Sequence, residues 1–190
     1  MNLPQVPAAD IATGSRTARS KAPVFSIGCS RSGTTLLYHM ILSAGNFAVY
    51  RVESHVFSLL EPRFKPLSSK KNKRKLLDAW YNSRLYTRSG LLMDLESRVM
   101  AECNNGGDFL RIVMEEICRQ QGVERWAETT PEHLLYLRRI KETIPEALII
   151  HVIRDGRDVA LSWEKFRKST RFPGIAGGPR WRRRSTGNGS

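Results

Sequence analysis

The segment Gly28 to Thr35 (GCSRSGTT) places two glycines with four residues between them, an arginine among those four, and hydroxyl side chains on both sides of the second glycine. Glycines at this spacing let a backbone turn tightly and aim its N–H groups inward. A helix opening at the second glycine adds its positive end. An apolar run, Pro23 to Ile27, precedes the loop, and apolar residues at 36, 37, 40 and 41 follow it at helical spacing. Strand, glycine-bounded loop and helix together make an anion cradle of P-loop type. A plain strand-to-helix turn would need the glycines but neither Arg31 nor the consecutive threonines. Thr34 stands where a nucleoside-triphosphate loop carries its lysine, which argues against an ATPase, a GTPase or an ordinary kinase. The cation is instead Arg31, inside the loop. A phosphate joined to sulfate, with no γ-phosphate, suits that arrangement, and each charge-assisted hydrogen bond there contributes roughly 1.5–3 kcal/mol.

A second polar loop follows the apolar run Ala147 to Ile153. Arg154 lies at its end, and Ser162 comes eight residues later, about two helical turns. The plain reading is a solvated helix start, with Asp155 or Asp158 capping and Arg157 in a surface ion pair. On the acceptor side, Glu53 and His55 are the candidate proton acceptors. Glu53 could equally be a carboxylate at a helix N-terminus, stabilised by the helix dipole, and His55 a packing residue. His39, His133 and His151 read as structural, two in helices and one in a buried strand.

The loop FSIGCSRSGTTLL is similar to the 5′-phosphosulfate loop of sulfotransferases. Its Arg-Ser-Gly-Thr-Thr form resembles the tyrosylprotein sulfotransferases and the bacterial sulfotransferase-family proteins. The resemblance implies a P-loop-containing α/β fold and 3′-phosphoadenosine 5′-phosphosulfate (PAPS) as sulfuryl donor, with no metal. It implies that Arg31, Ser32, Gly33, Thr34 and Thr35 hold the 5′-phosphosulfate, with Arg31 also stabilising charge on the bridging oxygen. It assigns the 3′-phosphate to Arg154 and Ser162, and catalytic proton transfer to Glu53, with His55 as rival base. The acceptor is a hydroxyl or an amine of unknown identity. Relatives usually carry Glu-Lys-Thr-Pro where this chain has Glu128-Thr129-Thr130-Pro131, and Thr129 cannot replace the lysine's charge.

The elements that position these loops follow from periodicity. Strands are expected at Pro23–Ile27, Phe47–Tyr50, Trp126–Glu128 and Ala147–Ile153, the last wholly buried. Helices are expected over 34–44, 52–60, 76–86, 91–103, 109–121, 131–143 and 155–168, with Pro62 to Lys75 as an exposed basic loop running into a helix. Strands alternating with helices predict a three-layer α/β domain with a central parallel sheet, incomplete at its C-terminus, and ligands at the carboxyl ends of the strands. Residues 1–21 are expected to be a flexible leader, 22–170 the donor-binding domain and 171–190 a disordered Gly/Arg-rich tail. That tail reads as a truncated end lacking the basic lid of relatives, which would weaken donor binding.

Composition sets outer bounds. The chain has 190 residues, a hydrophobic fraction of 41% and a formal net charge of +13. Five cations cluster between Lys70 and Lys75 and five between Arg171 and Arg184; without these ten, the +13 falls to +3. A mildly basic body fits a polyanionic small molecule better than a nucleic-acid surface. Three cysteines with no CxxC pair give neither a disulfide framework nor a zinc site. No signal-peptide core and no span of about 20 apolar residues is present, so a soluble cytoplasmic protein is expected. A P-loop nucleotide kinase, an inactive donor-binding fragment and an RNA-associating basic protein are the competing readings.

Overall fold

A computed structural model describes residues 21–169; the expectations for the leader (apart from Lys21) and for the tail lie outside them. The chain forms two compact units, Met1–Arg154 and Asp155–Ser190. In the first, four strands form one parallel sheet in the order β2-β3-β1-β4: β1 Val24–Gly28, β2 Phe47–Ala48, β3 Arg125–Glu128 and β4 Leu148–Val152. Helices flank the sheet, as the alternating pattern requires. Strand β1 is central and buried at all five positions, as expected of a strand bonded on both sides and covered on both faces.

Helix α1, Thr34–Ser43, leaves the sheet directly after the loop at β1. A π-helical turn, Val56–Leu60, leads into α2, Glu61–Phe64; α3 is Lys70–Tyr81, α4 Arg84–Ser89 and α5 Glu96–Glu102. Helix α6, Gly106–Gln121, is the longest of the described helices. Asn105 caps it, accepting from the Asp108 N–H at 3.0 Å. Its apolar face, with Phe109, Met114 and Ile117 almost wholly buried, forms the centre of the main core. Burying each such side chain stabilises the fold by about 1.5–3 kcal/mol. Trp80 of α3 meets Phe109 edge-on at 5.5 Å. A 3-10 turn, Pro131–Tyr136, then leads into α7, Leu137–Thr143.

Several elements depart from the periodicity reading. Residues 52–55 are loop, and helical winding starts only at Val56, because the Ser54 N–H bonds the side chains of Glu128 and Thr130 instead of a helix carbonyl. The basic run at 70–75 lies on α3 rather than in a loop. Lys73 is buried there and donates to the Met100 carbonyl at 2.9 Å. The helix expected over 76–86 is split, because α3 ends at Tyr81 with Asn82 as its C-cap and Ser83 caps α4, its hydroxyl accepting from the Tyr86 N–H. Leu91 to Leu95 precede α5 rather than belonging to it; Tyr81 and Asp94 side chains take the N–H groups of Leu95 and Glu96.

Strand β4 pairs with β1 in the expected parallel register but is not buried. It is an edge strand among the described residues, with Leu148 37% and Ile150 40% exposed and His151 exposed, so His151 is not a buried structural histidine. The second unit contains α8, Gly156–Ser169. Asp155 accepts from the Arg157 N–H at 2.9 Å and pairs with its guanidinium, which is the capping arrangement read from the sequence.

Gly28 is where the sheet and the loop come closest. A Cβ there would lie 2.6 Å from the Val152 carbonyl oxygen and 3.0 Å from Ser32 Oγ. Gly28→Ala must therefore push β1 from β4 or distort the loop. Overpacking of this kind costs about 1–3 kcal/mol, and a urea titration should show a lower midpoint with an unchanged slope.

Candidate active site

The loop after β1 is built for a ligand approaching from outside. Arg31 (φ 73°) and Gly33 (φ 107°) both occupy the left-handed region, which a non-glycine residue adopts at some cost. Arg154, at the end of the β4 segment, donates from Nη1 to the Arg31 carbonyl at 3.3 Å. Ser32 turns inward: its N–H and Oγ both donate to the Cys29 carbonyl, the former at 3.0 Å. Thr34 is buried, with its carbonyl accepting from Ser26 Oγ at 3.2 Å, whereas Arg31 and Thr35 are exposed. Gly33 is the N-cap of α1 and offers no side chain to its first amides, and no acidic residue lies in the first turn. The positive end of a ten-residue helix is therefore not compensated by a cap or by a carboxylate of its own first turn. A Cβ built on Gly33 meets nothing within 4 Å, so the space over the loop is open. These residues fit an anionic phosphosulfate group. Ser162 lies on α8 in the second unit.

Opposite the loop, residues 50–54 are clamped at both ends. The Tyr38 hydroxyl of α1 donates to the Tyr50 carbonyl at 2.8 Å and accepts from the Tyr50 N–H at 3.1 Å. Burial pushes the Tyr38 phenol up to about 12, so the donor proton persists at neutral pH. At the other end Ser54 is held by Glu128, whose Oε1 accepts from Ser54 Oγ at 2.8 Å and from Thr130 Oγ1. The other Glu128 oxygen meets His133 Nδ1 at 3.0 Å. Glu128, Thr130 and His133 are fully buried. Burial alone pushes the Glu128 carboxyl up, but His133 beside it and the three side-chain hydrogen bonds outweigh burial and hold it below its usual value.

Between the clamps the chain presents Arg51, Val52 and Glu53. Thr35 of the phosphate loop and Glu53 line one cavity of about 410 Å³, with Tyr38, His39, Arg51 and Thr129 among the other walls. Thr129, the position of the relatives' lysine, thus lines the space between phosphate loop and carboxylate, and its Oγ1 has no hydrogen-bond partner among the described residues. His55 Nε2 lies 3.4 Å from Glu53 Oε2, and His55 Nδ1 lies 3.8 Å from Glu132 Oε2. The two rival bases are thus neighbours. Burial raises the Glu53 carboxyl above its ordinary value; Glu132 and Glu128 raise it further, against His55 and His133.

The sequence singled out Thr35, Glu53 and His55, and the fold brings Thr35 and Glu53 to one cavity. Tyr38 and the Glu128–His133 pair were not read from it. The Glu-Thr-Thr-Pro motif marks this place in the sequence, but its spacing does not show that Glu128 is buried against His133.

Two stability tests follow from these environments. Removing one partner of a buried pair costs about 3–5 kcal/mol, so Glu128→Ala should lower unfolding stability by that much, and Glu128→Gln by less. Because the folded Glu128 pKa is depressed, its contribution is present above the unfolded glutamate value of about 4.3 and is lost as pH falls through the folded value. Glu53 has the opposite sign. Its raised pKa means that the charged form opposes folding, so Glu53→Gln should raise the melting temperature at pH 7. That gain should shrink as pH falls into the carboxylate range, which a pH series of thermal melts would read.

No curated protein and no solved structure gave a match. The family model described as "Sulfotransferase family" matches residues 23–173, which take in both the glycine-bounded loop and the Arg154 segment. With most of the chain matched and the phosphate loop leading off a parallel sheet, the protein belongs to the sulfotransferase family.

Proposed function

We propose that the chain transfers a sulfuryl group from PAPS to a hydroxyl or amine. The observation that carries this reading is the single cavity that Thr35 of the anion cradle and Glu53 both line. The donor supplies an activated sulfuryl group on a phosphate. Arg31, Gly33 and Thr35 and the amides at the start of α1 hold the 5′-phosphosulfate, with Ser32 and Thr34 shaping the loop. Arg154 and Ser162 take the 3′-phosphate role that the family resemblance implies.

Glu53 accepts the acceptor's proton as the new S–O or S–N bond forms. A raised carboxyl pKa brings its basicity closer to the working pH, which favours proton removal. His55 lies within 3.4 Å of Glu53 and orients it. As the old S–O bond breaks in line with the new one, its electron pair goes to the bridging oxygen, where Arg31 offsets the charge.

The donor site can be tested without knowing the acceptor. Adenosine 3′,5′-bisphosphate at a hundred times its Kd should stabilise the protein by about 2.7 kcal/mol, a rise in melting temperature of roughly 5–10 °C for a chain of this size. ATP should do much less, and Arg154→Ala should lose the shift. Equal stabilisation by ATP would favour a nucleotide kinase and sink this reading.

A further inference from the structure

Residues that line the cavity shared by Thr35 and Glu53 also line two neighbouring cavities. Arg51 and Glu53 also line a second cavity of about 330 Å³, whose other walls include His55, Arg84 and Arg88. Arg51 and Arg88 line a third, of about 720 Å³, with Thr87, Ser89 and Gln121. Three arginines thus form a wall leading away from the carboxylate, and all three are exposed.

Arg98, Arg111, Arg119, Arg138 and Arg139 each pair with a carboxylate of the first unit. Arg51, Arg84 and Arg88 make no ion pair with a described residue. Arg63, Arg74 and Arg125 share with them the lack of an ion pair among the described residues, but of these six only Arg51, Arg84 and Arg88 line the cavities beside Glu53. Glu53, the one carboxylate on that stretch of wall, already faces His55. Arg84 and Arg88 are four residues apart on the six-residue helix α4, so they share a face. Like charges at that spacing oppose helix formation. A wall of guanidiniums without ion pairs among the described residues, lining cavities that share Arg51 with the Thr35–Glu53 cavity, is a receptor for anionic oxygens, which arginine binds in bidentate fashion.

Resting on the sulfotransferase reading, we propose that Arg51, Arg84 and Arg88 bind anionic groups of the acceptor, so that the substrate is a hydroxyl or amine compound that already carries carboxylate, sulfate or phosphate. The apolar part of the first cavity, with Leu42, Val49 and Val52, takes the portion next to the reacting atom, and the charged portion extends along the arginines.

The test uses the whole chain saturated with adenosine 3′,5′-bisphosphate and titrated by calorimetry with inositol hexasulfate, with myo-inositol as the uncharged match. The expected result is one-to-one binding of the hexasulfate, none of myo-inositol, and at least tenfold weaker binding in Arg84→Ala/Arg88→Ala. The Lys70→Ala/Lys71→Ala variant, which removes exposed cations from α3, should bind as the unaltered chain does. Arg84→Gln/Arg88→Gln serves in place of the alanine variant if that variant does not fold. Unchanged affinity in the arginine variant, or a loss confined to the lysine variant, overturns the proposal while leaving the donor reading intact. Failure of the bisphosphate to bind overturns the donor reading instead, and the hexasulfate titration of the unloaded chain still decides for or against the arginine wall.

Discussion

The Glu128 carboxylate is the interaction on which the site depends. It sits at the carboxyl end of β3, level with Phe25 of β1 in the parallel register, and it is fully buried. A carboxylate in that position would cost several kcal/mol unless paired and hydrogen-bonded. His133, Thr130 and Ser54 supply the partners. The partners come from three separate stretches: the 3-10 turn, the end of β3 and the loop after β2. Satisfying one buried charge therefore fixes the sheet, the turn and the loop bearing Glu53 together. Phe57 packs edge-on against His133 at 5.1 Å and ties the π-helical turn to the same point.

The loop that carries Glu53 owes its shape to this clamp and to the Tyr38 hydroxyl at its other end. Tyr38 belongs to the helix that opens at the glycine-bounded loop. One helix thus meets both parts of the proposed site: its first turn follows the glycine-bounded loop, and its second holds the loop bearing Glu53. Fixing both on the same rigid element holds the groups of the proposed site in place without relying on a flexible connection. The raised Glu53 carboxyl is the energetic counterpart, since a group made more basic by burial and by neighbouring carboxylates is less stable in its charged form.

Charge is distributed with the same economy. Most arginines of the first unit that lie away from the cavities are spent on carboxylates, whereas Arg51, Arg84 and Arg88 are not. The cluster at 70–75, which looks from the sequence like a loose basic patch, has one member, Lys73, drawn into the core to satisfy the Met100 carbonyl.

By itself the sequence determined the α/β class, the order of its elements and the two polar loops at strand ends. Those features are local: glycine spacing, apolar periodicity and capping chemistry act between residues near one another in the chain. What only the tertiary structure decided were the contacts between distant segments. Residues 52–55 have helical periodicity, but a carboxylate more than seventy residues away takes the Ser54 amide. The ALIIHVI run reads as buried, but burial depends on which elements cover a strand, and β4 is left at an edge. The clustering of Arg51 with Arg84 and Arg88, and of Thr35 with Glu53, likewise arises from how loop and helix pack, because periodicity reports which face of an element is apolar and not which other element that face will meet.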